Sequence, residues 1–187
     1  MTQTQHDTLT SIQVALSDLN GIPRGKRVPG AQVQKVMDGA LRMPLSVTTV
    51  DIWGRDVETN AMIFEQGDGD GVCRPFLDHV IPAPWLGPAA GIVPIWMFDE
   101  SGAPSDTDPR HALARVMKRF HAVGLTPVVA TELEFYLVDP DPDSAQPPIS
   151  PYTGKRLDSD AILSLDELED FGEFFRDVYL QCEQQNV

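Results

Sequence analysis

Glu132 and Glu134 stand two residues apart in ATELEFYLV, residues 130–138, an otherwise mostly apolar run. Successive side chains of a strand point to opposite faces, so in an extended chain Val129, Thr131, Leu133, Phe135 and Leu137 share one apolar face. Both carboxylates then project from the other face, with Val128, Ala130, Tyr136 and Val138. Like charges at such positions repel, and burying either without a partner is costly. Water relieves the repulsion if the strand is half exposed with an acidic wet face, as in many antiparallel sheets. A divalent cation relieves it equally, because hard ions take carboxylate oxygens and rigid strands hold ligands in place. The residues alone leave both readings open.

Other stretches that suggest chemistry carry less. GDGDG at 67–71 tempts two readings. As a calcium loop starting at Asp68 it would need Gly at the sixth position and Glu at the twelfth, where Cys73 and His79 stand. As a dinucleotide fingerprint starting at Gly69 it lacks the third glycine, so a turn is the better reading. The sequence contains no GxxxxGK[ST] phosphate loop, no HExxH and no GxSxG. Histidines 6, 79, 111 and 121 are scattered, and the two on the helix described below read as surface or capping residues. Arg24, Lys26 and Arg27 beside a turn read as solvated charge, with a phosphate contact as the alternative. Cys73 and Cys182 form no CxxC pair and read as free thiols, with neither a zinc site nor a disulfide framework indicated.

The elements that must position these residues follow from periodicity. TSIQVALSDLNG, residues 10–21, reads as a strand ending in an Asn-Gly turn, and RGKRVP as the returning strand of a hairpin. In AQVQKVMDGAL, residues 31–41, Val33, Val36, Met37 and Ala40 fall at helical spacing. From 45 to 98 the apolar runs LSVTTVDIW, AMIF, VCRPF and GIVPIWMF alternate with turn-rich stretches, predicting a strand-rich region packed on one helix. A Pro/Ser/Asp-rich break follows. Asp108 is then a good N-cap and Pro109 a good first helical residue, with Leu113, Val116, Met117, Phe120 and Val123 as one apolar stripe ending at Gly124. The 130–138 strand comes next, and then a polar loop over 139–160 without periodicity. Ser164 and Glu167 form a capping-box pattern ahead of a final helix with Leu168, Phe171, Phe175, Val178 and Cys182 on one stripe. A helix, a strand and a helix after residue 106 do not close a core, so the sequence reads as the start of a larger domain, cut short.

The 187 residues suffice for one sizeable core or two small domains. A formal net charge of −14 disfavours nucleic acid and anionic membrane surfaces as partners. No apolar run approaches a membrane span, and the polar start lacks the regions of a signal peptide, so a cytoplasmic location is the expectation.

In order and spacing, DLNGIPRGKRVP (18–29), DPRHALARVMKRF (108–120) and TELEFYLV (131–138) resemble the amino-terminal part of the glutamine synthetase family. The resemblance covers essentially the whole chain, and its most specific element is Glu-x-Glu-Phe after a helix opening Asp-Pro-Arg. ETNAMIFEQGDGDGVCRPFLDHVIPAPW, residues 58–85, looks closer to the branch that joins glutamate to polyamines, the γ-glutamylputrescine synthetases. The resemblance implies an α+β fold: a β-grasp-like amino-terminal domain over 1–105, then over 106–187 the first helix, strand and helix of a larger antiparallel-sheet catalytic domain. It implies ATP and Mg²⁺ or Mn²⁺ as cofactors, and glutamate with a polyamine or ammonia as substrates. It also implies a homo-oligomeric ring, with the small domain of one subunit closing the site of the next. Glu132 and Glu134 become metal ligands in this reading. Members that use ammonia carry Asp-Gly-Ser-Ser in the small domain; here Asp51 in TTVDIWGRD, residues 48–56, is the nearest counterpart and the Gly-Ser-Ser is absent. Asp51 is therefore a candidate to receive an amine, and otherwise a turn aspartate. The family's remaining metal, nucleotide and glutamate ligands have no counterpart before Val187, so these residues alone are expected to hold no catalytic residue and no activity. A non-catalytic β-grasp-like assembly module is the alternative.

Overall fold

A computed structural model describes residues 9–141, 143, 145–157 and 162–187. Chain contacts group it into two units, residues 1–127 and 128–187.

The first unit is built on a mixed six-stranded sheet. β1 (Ser11–Ser17) and β2 (Pro23–Pro29) form the predicted hairpin, antiparallel from Ser11 opposite Pro29 to Ser17 opposite Pro23. Its loop turns through Gly21 at φ +79°, a left-handed conformation that costs glycine nothing. Gly25 packs so closely on β1 that a Cβ would stand 1.8 Å from the carbonyl oxygen of Val14. β1 also pairs, in parallel, with β6 (Ala90–Phe98), over Ser11–Ala15 against Ala90–Pro94. β6 then pairs antiparallel with β4 (Asp70–Pro75), which pairs with β3 (Leu41–Pro44), while the two-residue β5 (Ile81–Pro82) adds to the start of β6. Pro94, which has no N–H to donate, sits where β6 leaves β1, and its next residue, Ile95, begins the pairing with β4.

Alternation along β1 and β6 puts Ile12, Val14, Leu16, Val93, Ile95 and Met97 on one buried face. Helix α1 (Val33–Met37) covers that face with Val33 and Val36, and Met43, Cys73 and Val80 complete the core. Burial raises the Cys73 thiol to about 11, so it is protonated and unreactive at neutral pH. Both cysteines are free thiols.

Two of the predicted strand runs are helical instead. Leu45–Thr48 is a 3-10 turn, and Ala61–Phe64 is the one-turn helix α2, capped by the Asn60 side chain accepting from the Met62 N–H. AMIF is too short for alternation to separate a strand from a helical turn, and the Asn60 cap decides; the turn at 45–48 has no side-chain cap. Of GDGDG, residues 67–69 form the expected turn, where Gly67 and Asp68 take positive φ and the Asp68 carboxylate accepts from the Ser46 N–H and Oγ, while Asp70 and Gly71 already open β4.

The helix predicted from Asp108 is present as α3 (Pro109–Ala122), with Asp108 accepting from the Arg110 N–H as N-cap. His111 on this helix is buried rather than a surface residue. Its ring lies 4.7 Å from that of Trp96 and 4.8 Å from that of Phe98, centroid to centroid. Its Nε2 is 2.8 Å from the carbonyl oxygen of Met97, which can only accept, so Nε2 carries the proton. Asp108 Oδ2 accepts from the N–H of the same Met97 at 2.8 Å. The start of α3 thus supplies partners to both the N–H and the carbonyl of Met97, the carbonyl also accepting from the Ser105 N–H, on the edge of β6 that β1 has already left. The stripe Leu113, Val116, Phe120 and Val123, in contrast, remains exposed.

The second unit departs further from expectation. The 130–138 stretch is not a strand: no helix or strand is assigned over 125–138, and Leu133, Phe135 and Tyr136 are all exposed. A strand exists only by pairing, and among the described residues none pairs with it. The predicted final helix is two, α4 (Leu165–Asp170) and α5 (Gly172–Gln185), divided where Phe171 leaves helical geometry at φ −110°, ψ 19°. Ser164 caps α4 by accepting from the Glu167 N–H. Of the loop expected over 139–160, residues 142, 144 and 158–160 lie outside the described ones, and the described residues carry local bonds. Asp139 pairs with Arg156 at 2.8 Å, Arg156 also bonds the Pro147 carbonyl, and Ile149 and Arg156 form an isolated bridge.

Candidate functional site

Asp51 begins an exposed loop directly after the 3-10 turn at Leu45–Thr48. Its Oδ1 accepts from the N–H groups of Trp53 and Arg55, both at 2.8 Å, which is the local bonding that makes aspartate a turn former. The Asp51 N–H bonds the Arg55 carbonyl, and the Gly54 N–H bonds the Asp51 carbonyl. Asp51 Oδ2 has no partner among the described residues. The turn reading is therefore realised, and one carboxylate oxygen is left for another role.

Behind the loop stands an ion pair that spacing did not reveal. Asp18, fully buried at the end of β1, accepts from the N–H groups of Asn20 and Ile22 through Oδ1 and from Arg24 Nε through Oδ2, at 2.8–2.9 Å. Arg24 also donates to the Asp51 carbonyl at 3.2 Å. The basic cluster is thus partly internal. Arg24 joins hairpin to loop, Lys26 bonds the Arg42 carbonyl, and Arg27 bonds Ser11 Oγ. The one available signal was Asp18 two residues before the Asn-Gly turn, a position where a side chain reaches its own turn amides.

Glu132 and Glu134 lie in the second unit, both exposed and neither hydrogen-bonded nor ion-paired among the described residues. Glu134 lines an open groove of about 530 Å³ with Leu133, Phe135, Tyr136, Leu137, Phe174 and Phe175. Their chemistry suits a divalent cation in kind, since both offer unengaged hard oxygens. In number they are two: among the described residues no three His, Cys, Asp or Glu converge into a set that could hold a metal ion. No helix among them is long and apolar enough to cross a membrane.

Residues 106–187 match the family model described as the glutamine synthetase catalytic domain. The chain is 38% identical over 170 residues to the γ-glutamylputrescine synthetase PuuA of Escherichia coli, covering 89% of this chain and 36% of that protein. It is 23% identical over 186 residues to the glutamine synthetase of Thermotoga maritima, covering 98% of this chain and 38% of that one. Its fold is similar to that of GmaS in complex with ADP, at a TM-score of 0.53 and 17% identity, over 94% of this chain and 38% of that one. The chain thus spans little more than a third of the length of these relatives.

Proposed function

Since the chain belongs to the glutamine synthetase family, a family of ligases, we propose that it is the amino-terminal part of an ATP-dependent glutamate–amine ligase with a polyamine as nucleophile. The 38% identity to a γ-glutamylputrescine synthetase over 89% of the chain carries this reading. The activity is proposed for the full-length polypeptide that contains this sequence. In this reading residues 1–105 form a β-grasp-like domain and 106–187 open the catalytic domain. The order of the sheet, β2-β1-β6-β4-β3 with β1 parallel to β6, supports the first part.

The proposed reaction runs in two steps. The γ-carboxylate of glutamate attacks the terminal phosphorus of ATP, forming γ-glutamyl phosphate and releasing ADP. An amine nitrogen then attacks the acyl carbon, phosphate leaves, and the nitrogen gives up one proton. Bound Mg²⁺ or Mn²⁺ supplies positive charge against the transferring phosphoryl group. Within this chain Glu132 and Glu134 are the residues that would hold such ions. Asp51 Oδ2 is the atom that would receive the ammonium end of the amine and take its proton. Assembly as a homo-oligomeric ring, with a cytoplasmic location, belongs to the same reading.

The deciding assay is ADP release by the full-length protein with ATP, glutamate and Mg²⁺, supplied in turn with putrescine, spermidine, ethanolamine and ammonia. Putrescine or spermidine is expected to give the highest kcat/KM; a preference for ammonia would overturn the polyamine assignment, and no amine-dependent release would overturn the ligase. A second expectation tests the carboxylates in the same protein. A ligand that binds only the native state raises its melting temperature, so Mn²⁺ should raise Tm and Glu134→Ala should diminish the rise. An unchanged rise in the variant removes Glu134 from the metal site.

A further inference from the structure

The loop that begins at Asp51 displays more apolar surface than a turn requires. Trp53 is 76% exposed and Ile52 59% exposed. Each forgoes the stabilisation that burial would bring, and the two directly follow Asp51 in sequence. The loop is nevertheless held firmly. The Trp53 N–H is tied to Asp51 Oδ1, Gly54 turns at φ +80°, and a Cβ on Gly54 would stand 2.8 Å from the Arg24 guanidinium. Arg24 in turn is anchored to the buried Asp18. A braced loop that exposes an indole two residues from a carboxylate whose Oδ2 has no partner among the described residues has the components of a cation receptor. Asp56 and Glu58 add exposed negative charge along 51–58, against Arg55 alone.

We propose that Trp53, with Ile52, determines specificity for the amine: the ammonium group binds Asp51 Oδ2 and the indole face, and the methylenes of an alkyl amine lie along Ile52 and Trp53. This rests on the ligase reading for the identity of the substrate and goes beyond it in assigning the discrimination to two named side chains. Attraction of a cation to the face of an indole adds to the ion pair. The apolar flank adds a contact that an ammonium ion, having no carbon, cannot use. The pair therefore selects alkyl amines over ammonia by what it offers the chain between the charges.

Two measurements test this, one of which does not need turnover. In the 187-residue chain the Trp53 indole N–H resonance, assigned by its loss in Trp53→Phe, is expected to shift on titration with putrescine, with Trp85 and Trp96 as internal controls. Ammonium chloride at matched ionic strength should shift it far less, and Asp51→Asn should suppress the response. An equal response to both salts, or none, overturns the proposal. In the full-length enzyme Trp53→Ala is expected to raise KM for putrescine about fivefold, with Trp53→Phe restoring most of it and kcat moving far less. Unchanged KM for the amine, or an equal rise in KM for ATP and glutamate, overturns it. If no amine supports ADP release while the Trp53 resonance still answers putrescine, the ligase reading fails and the amine site stands.

Discussion

Asp108→Ala is expected to lower the stability of the first unit by about 3 kcal/mol, the sum of two losses at one side chain. The first is the N-cap of α3, where Oδ1 accepts from the Arg110 N–H; removing such a cap costs about 1 kcal/mol. The second is the partner of the Met97 N–H, which would be left buried and unsatisfied at a cost of about 1–3 kcal/mol. Water cannot readily replace the carboxylate, because Asp108 is 2% exposed and Met97 is fully buried. The carboxylate also sits at the positive end of the helix, where the unpaired amides favour negative charge. Asp108→Ser separates the two parts, since a serine can cap α3 but cannot reach Met97. It should recover about 1 kcal/mol of the loss. The measurements are the urea midpoint and the exchange rate of the Met97 amide hydrogen. A variant as stable as the parent, with Met97 still protected, would show that the contact contributes nothing.

That contact also marks where sequence reading stops. Asp108 and Pro109 were legible as a helix start because capping is local: the capping carboxylate and the Arg110 N–H that donates to it are two residues apart. The hairpin around Asn20 and Gly21 was legible for the same reason. His111 was not, because its partner is a carbonyl 14 residues upstream, on a sheet edge that exists only once β1 stops pairing at Pro94. The strand expected at 130–138 fails from the same non-locality. Alternation shows which face a strand would bury and says nothing of whether a neighbour is there to pair with it. The core of β1 and β6 was readable because both their periodicity and their burial agree, whereas the stripe on α3 has helical periodicity without burial. Around the candidate site, Asp51 could be read as a turn former from its type and position, and as an amine receptor only through the family resemblance. The brace behind it, Asp18 to Arg24 to the Asp51 carbonyl, spans 33 residues and is a product of the fold.

The same brace yields the second large effect, in Asp18→Asn. Asp18 is fully buried and Arg24 about one-fifth exposed, so the substitution leaves a guanidinium facing a neutral amide in a largely dry setting. Breaking a buried pair from one side costs about 3 kcal/mol, which is the expected loss at pH 7. The pH dependence fixes the cause. Burial opposes ionisation of Asp18, but the Ile22 N–H, the Arg24 guanidinium and the Asn20 groups outweigh it and hold the carboxyl below its ordinary value of 3.8. A folded-state value below the unfolded one means that the ionised group stabilises the fold above about pH 4, and that this contribution is lost as pH falls through the lower, folded value. The gap between parent and Asp18→Asn in urea midpoint should therefore be full at pH 7, begin to close below about pH 4, and narrow further toward pH 2. A gap that stays constant over that range would mean that packing, and not charge, accounts for the loss. Because Arg24 also holds the Asp51 carbonyl, the variant should speed hydrogen exchange at Gly54, whose N–H bonds that same carbonyl, even where the protein remains folded. Faster exchange there, with the core strands unchanged, would place the rigidity of the loop that begins at Asp51 in the Asp18–Arg24 ion pair beside the hairpin turn.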